Sequence, residues 1–139
     1  MEILVVSPEA GNWRTLSPLA TAVNRMTYAF ARAGANALTC SPFYKPLLQD
    51  LEGYSCVFSG TEKLHGKPYE IWKSPGDPFH TYIYNEEYFG RPDIYGPPGD
   101  LPYGDNHLRF AFLASAALDY AQETGFKCQA ILGHEWGGA

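Results

Sequence analysis

The chain has 139 residues, a formal net charge of −5 and a sequence pI near 5.2. Its length suits one domain with a real hydrophobic core, because a domain of this size buries roughly 70% of the surface that its unfolded chain exposes. The acidic balance excludes a nucleic acid or an anionic membrane as a partner, since either would need a cationic face.

Three cysteines, Cys40, Cys56 and Cys128, are odd in number and form no CxxC pair. We therefore expect neither a disulfide framework nor a metal site, and we interpret all three as buried thiols in a reducing compartment. The apolar stretch after Met1 is too short for a signal peptide or a membrane span. A cytoplasmic protein is the resulting expectation.

The first predicted unit is a strand, a loop and a helix. Residues 3–6 form an apolar run without alternation, which is typical of a strand covered on both faces of a mostly parallel sheet. Ser17 and Pro18 are typical of a helix N-cap and first helical position, and Gly34 marks the helix end. Between them, apolar residues recur at helical steps: Leu19, Ala22, Val23, Met26, Ala29, Phe30 and Ala33.

Ligands of open α/β sheets bind beyond the carboxyl ends of the strands. The loop that follows the first strand, residues 7–17, is therefore where chemistry is expected.

The middle of the chain predicts further strands rather than a second strand–helix–strand unit. Residues 36–40 predict the second strand, which Ser41 and Pro42 end, and residues 47–51 predict one helical turn. Three β-rich runs separated by turn-forming linkers then predict an antiparallel insertion or edge: residues 54–58, 69–73 and 81–84.

Residues 85–104 are rich in glycine, proline and aromatic residues and predict a long structureless loop, which is more often functional than not. Asp105 predicts the cap of a long helix that lasts until Gly125. The apolar positions of this helix keep helical period: Leu108, Phe112, Ala116 and Tyr120, with Phe110, Leu113 and Ala117 beside them.

Residues 129–132 predict a last parallel strand, and His134, Glu135 and Trp136 follow it at the carboxyl edge of the sheet. No further helix is predicted to cover this strand. We expect either a fragment of a longer protein or a sheet face left for a partner, including a second copy of the chain.

Several known motifs are incomplete here. A zinc-protease motif starting at His134 needs a second histidine where Gly138 stands. A phosphate-binding Walker loop between Gly60 and Gly66 has five intervening residues instead of four, and Pro68 replaces the magnesium-binding hydroxyl. No GxGxxG and no serine nucleophile elbow occur, so no cofactor is expected.

The four histidines differ in their positions. His65 and His80 lie in predicted turns and are expected to be solvated. His107 lies in the first turn of the long helix, where a cation opposes the helix dipole, so it is expected to be neutral or exposed. His134 follows a parallel strand, and both a sugar or phosphate contact and a buried structural role remain open for it.

Six segments of the chain carry a resemblance: residues 1–6, 31–34, 85–92, 94–96, 105–112 and 134–136. Together they resemble the amino-terminal domain of bacterial glycogen synthases and plant starch synthases. The loop at 85–96 and the helix start at 105–112 are the more specific of these, whereas the strands alone would be weak evidence. The resemblance runs along nearly the whole chain but covers only the first third of such an enzyme.

The resemblance implies a Rossmann-like α/β fold, with a mostly parallel sheet, helices on both faces and an antiparallel insertion. Residues 1–139 would be one partial domain, the amino-terminal half of a two-domain GT-B glycosyltransferase. Such enzymes transfer glucose from ADP-glucose or UDP-glucose to the non-reducing end of an α-1,4-glucan, with retention of configuration. A second domain, missing from this chain, would hold most of the nucleotide.

The resemblance also implies site residues. His134 matches the residue that contacts the transferred glucose and is the expected catalytic residue. The expected substrate-binding residues are Arg14, Thr15, Ser17, Tyr95, Asp105, Glu135 and Trp136.

Two departures from the family pattern concern the donor. Where the family has Lys-Thr-Gly-Gly, this chain has Thr15-Leu16-Ser17-Pro18, which lacks the ammonium and one backbone N–H. Loss of one charge-assisted contact costs about 1.5–3 kcal/mol, or about tenfold to a hundredfold in affinity. Arg14 could supply a substitute cation, and Gly137 stands where the family usually has His or Gln.

Three hypotheses follow. The first is a glycogen or starch synthase-like glucosyltransferase domain that is inactive as an isolated chain. The second is a non-catalytic glucan-binding or regulatory module derived from that domain. The third, a flavodoxin-like nucleotide-binding protein, is disfavoured because Pro8, Glu9 and Ala10 after the first strand suit a phosphate poorly.

Overall fold

The computed structural model describes residues 1–11, 17–48 and 51–138. The expected contacts of Arg14 and Thr15 lie outside these residues. The elements are, in chain order, β1 Glu2–Val6, α1 Pro18–Arg32, β2 Asn36–Pro42, a short 3₁₀ helix Lys45–Leu47, β3 Ser55–Thr61, β4 Pro68–Ser74, β5 Asp77–Tyr84, α2 Glu86–Phe89, α3 Asn106–Glu123 and β6 Ala130–Gly133.

The strands form one sheet in the order β3-β4-β5-β2-β1-β6. Strands β5, β2, β1 and β6 pair in parallel. Strand β4 pairs antiparallel with β5, and the edge strand β3 pairs antiparallel with β4. The predicted α/β class with an antiparallel insertion at the edge is confirmed. After β1 the chain adds β2 on one side and later β6 on the other, so β1 is the topological switch point of the sheet.

Strand β1 is covered on both faces, as its apolar run predicts. Ile3 and Val5 pack with Val23 of α1, whereas Leu4 and Val6 belong to the main core on the α3 side. The two helices therefore lie on opposite faces of the sheet. Because the side chains of a strand alternate, a fully apolar strand needs this double cover.

Helix α1 begins and ends as predicted. Ser17 is the N-cap, with its Oγ accepting a hydrogen bond from the Ala20 N–H at 3.3 Å. The helix face was predicted less well, since Ala22 and Ala29 are exposed and Thr27 is buried. The hydroxyls of Thr27 and Thr39 lie 2.9 Å apart and satisfy each other inside the structure.

The predicted turn around His80 is wrong. Strand β5 already begins at Asp77, because Ser74 and Asp77 pair across a two-residue hairpin turn. His80 is therefore a buried strand residue, 1% exposed, and its Nδ1 lies 2.5 Å from the Asp77 carboxylate. The hydrogen bond to this carboxylate offsets the cost of burying a polar imidazole ring. His65 is partly exposed and His107 is exposed.

The expectation of twenty structureless residues at 85–104 is wrong for residues 86–89, which form α2, whereas no helix or strand lies between α2 and α3. Asn85 caps the short helix α2 by accepting a hydrogen bond from the Tyr88 N–H at 3.0 Å. Tyr88, Phe89 and Ile94 are buried in the main core. Buried Arg109 of α3 holds this segment by donating to the carbonyls of Tyr88 and Ile94 at 2.8 and 2.7 Å. The many glycines and prolines of this segment predict an irregular chain, so nothing in the sequence indicates this packing.

Three further expectations are corrected. The Asp105 side chain makes no cap hydrogen bond to α3, although the residue occupies the N-cap position. Leu108 is exposed rather than buried. Only Cys40 is a buried thiol, whereas Cys56 and Cys128 are exposed.

Strand β6 forms one edge of the sheet, and its Ile131 side chain is 60% exposed. The sheet is therefore incompletely covered at this strand. Among the described helices, none is long and apolar enough to cross a membrane.

Candidate active site

The candidate site lies at the carboxyl edge of the parallel strands. The segments that follow β1, β5 and β6 all leave the sheet at this edge, since these strands run in the same direction. The first turn of α1 returns to it. Ligands of open α/β sheets bind at such a position, next to the topological switch point.

A cleft of about 640 Å³ opens there. It brings together five of the predicted site residues, Ser17, Tyr95, His134, Glu135 and Trp136. The other residues that line it are Glu9, Pro18, Leu19 and Ala22.

Glu9 is the cleft residue that sequence reasoning missed. It is 7% exposed, and its Oε1 accepts a hydrogen bond from the Tyr95 hydroxyl at 2.9 Å. The contact joins the segment after β1 to the segment after β5, which are 86 residues apart in the chain. Its position directly after a parallel strand was the available signal.

Aromatic rings form one wall of the cleft. The ring centroid of Trp136 lies 5.2 Å from that of Phe110, in an edge-to-face arrangement, and 5.9 Å from that of Tyr95. Phe110 is buried in the core, whereas Trp136 is 60% exposed. A tryptophan that is anchored on one side and open on the other offers a ring surface to a sugar or another apolar face.

A tight turn after β6 presents His134, Glu135 and Trp136. The His134 N–H donates to the Val6 carbonyl at 3.0 Å, which ties the turn to the end of β1. Glu135 has a φ of 56°, an uncommon backbone conformation for a residue with a side chain. Such conformations concentrate at functional sites.

Two glycines permit this turn. A Cβ at Gly138 would lie 2.3 Å from the Val6 carbonyl oxygen, and one at Gly137 would lie 3.1 Å from the side chain of Pro8. Close packing against the β1 end therefore gives a physical reason for glycine at both positions.

His134 is half-buried, and its Nε2 atom is buried with no hydrogen-bond partner among the described residues. Buried polar atoms are nearly always paired in native proteins, so an orphan in a cleft indicates a ligand or water position. His134 lines the cleft, but its Nε2 has almost no exposed surface, so a ligand would reach that atom only if neighbouring groups moved.

The first turn of α1 forms the opposite wall. Ser17 Oγ accepts the Ala20 N–H, which leaves its own hydroxyl hydrogen available to a ligand. Helix N-termini favour anions through their free N–H groups and dipole. Pro18 removes one of those N–H groups, so this terminus is a weaker anion site than its position alone implies.

The charged residues of the cleft lining are carboxylates. Glu9 and Glu135 line it, and the described lining contains no lysine or arginine. No cluster of potential metal ligands occurs in the part of the chain that the structure describes. An anionic diphosphate would therefore need cations from elsewhere.

Asp105 is not among the residues that line the cleft, and its expected substrate contact stays a prediction. Its two carboxylate oxygens accept hydrogen bonds from the Arg91 guanidinium at 2.7 and 2.6 Å. This pairing outweighs partial burial and lowers the pKa of Asp105. The ion pair joins the segment before α3 to the start of that helix, which is a structural role.

The fold matches a solved structure along nearly its whole length. The catalytic domain of starch synthase IV from Arabidopsis thaliana, determined bound to ADP and acarbose, superposes with a TM-score of 0.76 over 98% of this chain and 28% of that one. The sequences are 22% identical, so this likeness concerns the fold alone. Sheet order, helices on both faces and the cleft beside β1 define a Rossmann-like α/β domain.

Sequence comparison identifies the family. Residues 2–139 match the starch synthase catalytic domain, and the chain belongs to that family. It is 31% identical to glycogen synthase 2 of Geobacter metallireducens and 27% identical to the glycogen synthase of Anaeromyxobacter sp. strain K. Both alignments cover 98% of this chain but only 29% and 28% of those proteins. The chain thus spans less than a third of their length.

Proposed function

We propose that residues 1–139 are a partial, amino-terminal domain of a retaining glucosyltransferase that acts on a sugar nucleotide and an α-1,4-glucan. The donor would be ADP-glucose or UDP-glucose. The observation that carries the proposal is the meeting of Tyr95, His134 and Trp136 with the first turn of α1 in one cleft beside β1.

In this proposal, different residues of the cleft contact different parts of the two substrates. The ring of Trp136 would offer a stacking surface to the glucan, and His134, which lines the cleft, would contact a hydroxyl of the transferred glucose. Ser17 and the α1 N-terminus face the side where a diphosphate would lie. Glu135 and Glu9 supply acceptors for sugar hydroxyls, while Arg14 and Thr15 remain proposed donor contacts on sequence grounds alone.

Transfer needs groups beyond this cleft. Negative charge develops on the leaving diphosphate and must be stabilised by cations or oriented dipoles. The described lining supplies carboxylates and one weakened helix terminus. We therefore expect the cations to come largely from a second domain, and the isolated chain to be inactive.

A second candidate is a glucan-binding module that has lost donor binding. The two lining carboxylates, Glu9 and Glu135, favour this reading, because they repel a diphosphate but accept hydrogen bonds from a neutral sugar. Calorimetry on the pure chain tests for donor binding. Binding of ADP-glucose would contradict the module and support a donor-competent domain, whereas binding of maltohexaose alone is expected of both candidates, because a second domain would hold most of the nucleotide.

The cleft itself is tested by two substitutions. Trp136→Ala removes the stacking surface and should weaken maltohexaose binding about tenfold, equivalent to about 1.4 kcal/mol. His134→Ala should also weaken it, with exposed His107→Ala as the matched control. Equal affinity of all these variants and the parent chain would rule out the cleft as the sugar site.

Activity is tested with labelled sugar nucleotide and glycogen. Incorporation of glucose by the pure chain would refute the requirement for a second domain. We also propose that the uncovered edge at β6 allows self-association. Light scattering that gives a monomer mass at high protein concentration would contradict this.

A further inference from the structure

The segment after β1 is fixed to α1 through one side chain, Asn24. The Gly11 N–H donates to Asn24 Oδ1 at 2.8 Å, and Asn24 Nδ2 donates to the Gly11 carbonyl at 2.9 Å. Both backbone groups of Gly11 are thus satisfied by one amide. Only one orientation of that amide gives both bonds, so its assignment is determined by the partners.

Gly11 also fits its place only as a glycine. Its φ is 99°, in the left-handed region, and a Cβ there would lie 2.0 Å from the Tyr82 hydroxyl oxygen. The phenol of Tyr82 is held in turn, since it donates a hydrogen bond to the Asp77 carboxylate, which also pairs with His80. Burial, followed by that hydrogen bond, raises the pKa of Tyr82, so the phenol stays a neutral donor.

The rest of the segment is fixed in the same way. The Ser7 hydroxyl donates to the Glu9 carbonyl at 2.8 Å, and the Tyr44 hydroxyl donates to the Pro8 carbonyl at 2.7 Å. Hydrogen bonds to the carbonyls of Pro8 and Glu9, and the two bonds between Asn24 and Gly11, therefore fix the backbone before and after Glu9. The backbone position of Glu9, and with it the contact to Tyr95 in the cleft, therefore depends on the anchors around it.

Asn24 is not explained by helix formation. It lies inside α1, where asparagine is less favourable than alanine by about 0.7 kcal/mol. A residue that opposes its local structure usually serves a longer-range contact. Here that contact is the pair of hydrogen bonds to Gly11, 13 residues earlier.

We propose that Asn24 is a positioning residue for the sugar site, which holds Gly11 over Tyr82 and so sets Glu9 against Tyr95 in the cleft. The anchoring follows from the contacts, whereas its effect on ligand binding rests on the proposed function. Asn24 itself does not line the cleft.

The test combines amide hydrogen exchange with sugar titration on the same chain. Asn24→Ala should accelerate exchange of the Gly11 amide at least tenfold and weaken maltohexaose binding about tenfold, as followed on the indole signal of Trp136. Asn24→Asp keeps the acceptor for the Gly11 N–H but loses the donor to the Gly11 carbonyl. Its exchange rate and its sugar affinity should lie between those of the parent chain and of Asn24→Ala. Arg25→Ala, the exposed next residue of α1, is the matched control.

Each outcome decides something. Faster Gly11 exchange with unchanged sugar affinity would overturn the positioning role, and unchanged exchange would overturn the anchoring itself. An equal loss of affinity in Arg25→Ala would assign the effect to the helix as a whole. If the parent chain binds no maltohexaose, the proposed sugar site and the role of Asn24 in it both fail, while the exchange data still decide whether the anchor exists.

Gly11→Ala provides a second variant. It should reproduce the loss of sugar affinity, because the new Cβ meets Tyr82 and the left-handed φ is strained. Wild-type affinity in a folded Gly11→Ala variant would contradict the proposal.

Discussion

Arg109→Met is expected to loosen the segment between β5 and α3. Arg109 is fully buried and donates three hydrogen bonds, to the carbonyls of Tyr88 and Ile94 and, at 2.6 Å, to Asn106 Oδ1. Among the described residues no carboxylate lies within ion-pair distance of it. Burial lowers the pKa of its guanidinium, which stays charged at neutral pH because its ordinary pKa is so high.

The magnitude follows from the acceptors left behind. Methionine fills a similar volume, so the cavity contribution is small, but the carbonyls of Tyr88 and Ile94 lose their donors. Each buried acceptor without a partner costs about 1–3 kcal/mol, which gives about 2–6 kcal/mol for the two backbone carbonyls, and Asn106 Oδ1 also loses its donor. Removal of the buried guanidinium charge offsets part of this cost. The rest remains, because the unpaired carbonyl groups are still buried. We expect a net loss of about 3 kcal/mol.

Urea unfolding followed by circular dichroism measures this loss. Arg91→Met is the matched control, since Arg91 also bonds to the segment but its ion pair with Asp105 is partly exposed and contributes at most about 1 kcal/mol. A second readout is the Trp136 indole signal, which should shift because Tyr95 follows Ile94. An Arg109→Met variant as stable as the parent chain would refute the reasoning.

Three other predictions concern parts of the fold near the site. Gly138→Ala should destabilise the chain by about 3 kcal/mol because its Cβ meets two backbone carbonyl oxygens; Gly104→Ala, where space is open, should change stability by less than about 0.5 kcal/mol. The lowered pKa of Asp105 means that its stabilisation is complete above the unfolded-state pKa of about 3.9 and is lost as pH falls through the lower folded-state pKa. Thermal melts across acid pH should show this loss, and Arg91→Met should abolish it. Burial raises the pKa of Cys40 to about 12, so iodoacetamide at neutral pH should modify only the two exposed cysteines; early modification at all three, seen by mass spectrometry, would contradict the packing of β2.

Local signals in the sequence predicted the parts of the fold that local chemistry determines. The unbroken apolar run of β1 required cover on two faces, and Ser17 with Pro18 located the start of α1. The position of His134, Glu135 and Trp136 after a parallel strand was enough to predict that they share an edge with Ser17. These predictions succeeded because strand direction and helix caps follow from short stretches of chain.

The parts that failed depend on contacts between distant residues. His80 was predicted to lie in a solvated turn, because nothing next to it reveals that Asp77 pairs with Ser74 and extends β5. Residues 85–104 were predicted to be structureless, because their order comes from Arg109 on a later helix. Glu9 was missed because its partner, Tyr95, lies in another loop.

Glu135 has a consequence for engineering of this domain. Its backbone occupies a left-handed conformation that glycine would adopt at lower energy. The Glu135 carboxylate is therefore present in the cleft at the cost of a strained backbone. Selection for thermostability should favour glycine at position 135. A variant improved in that way would melt later while lacking one of the proposed sugar acceptors of the cleft, so heat resistance alone is a misleading guide to function here.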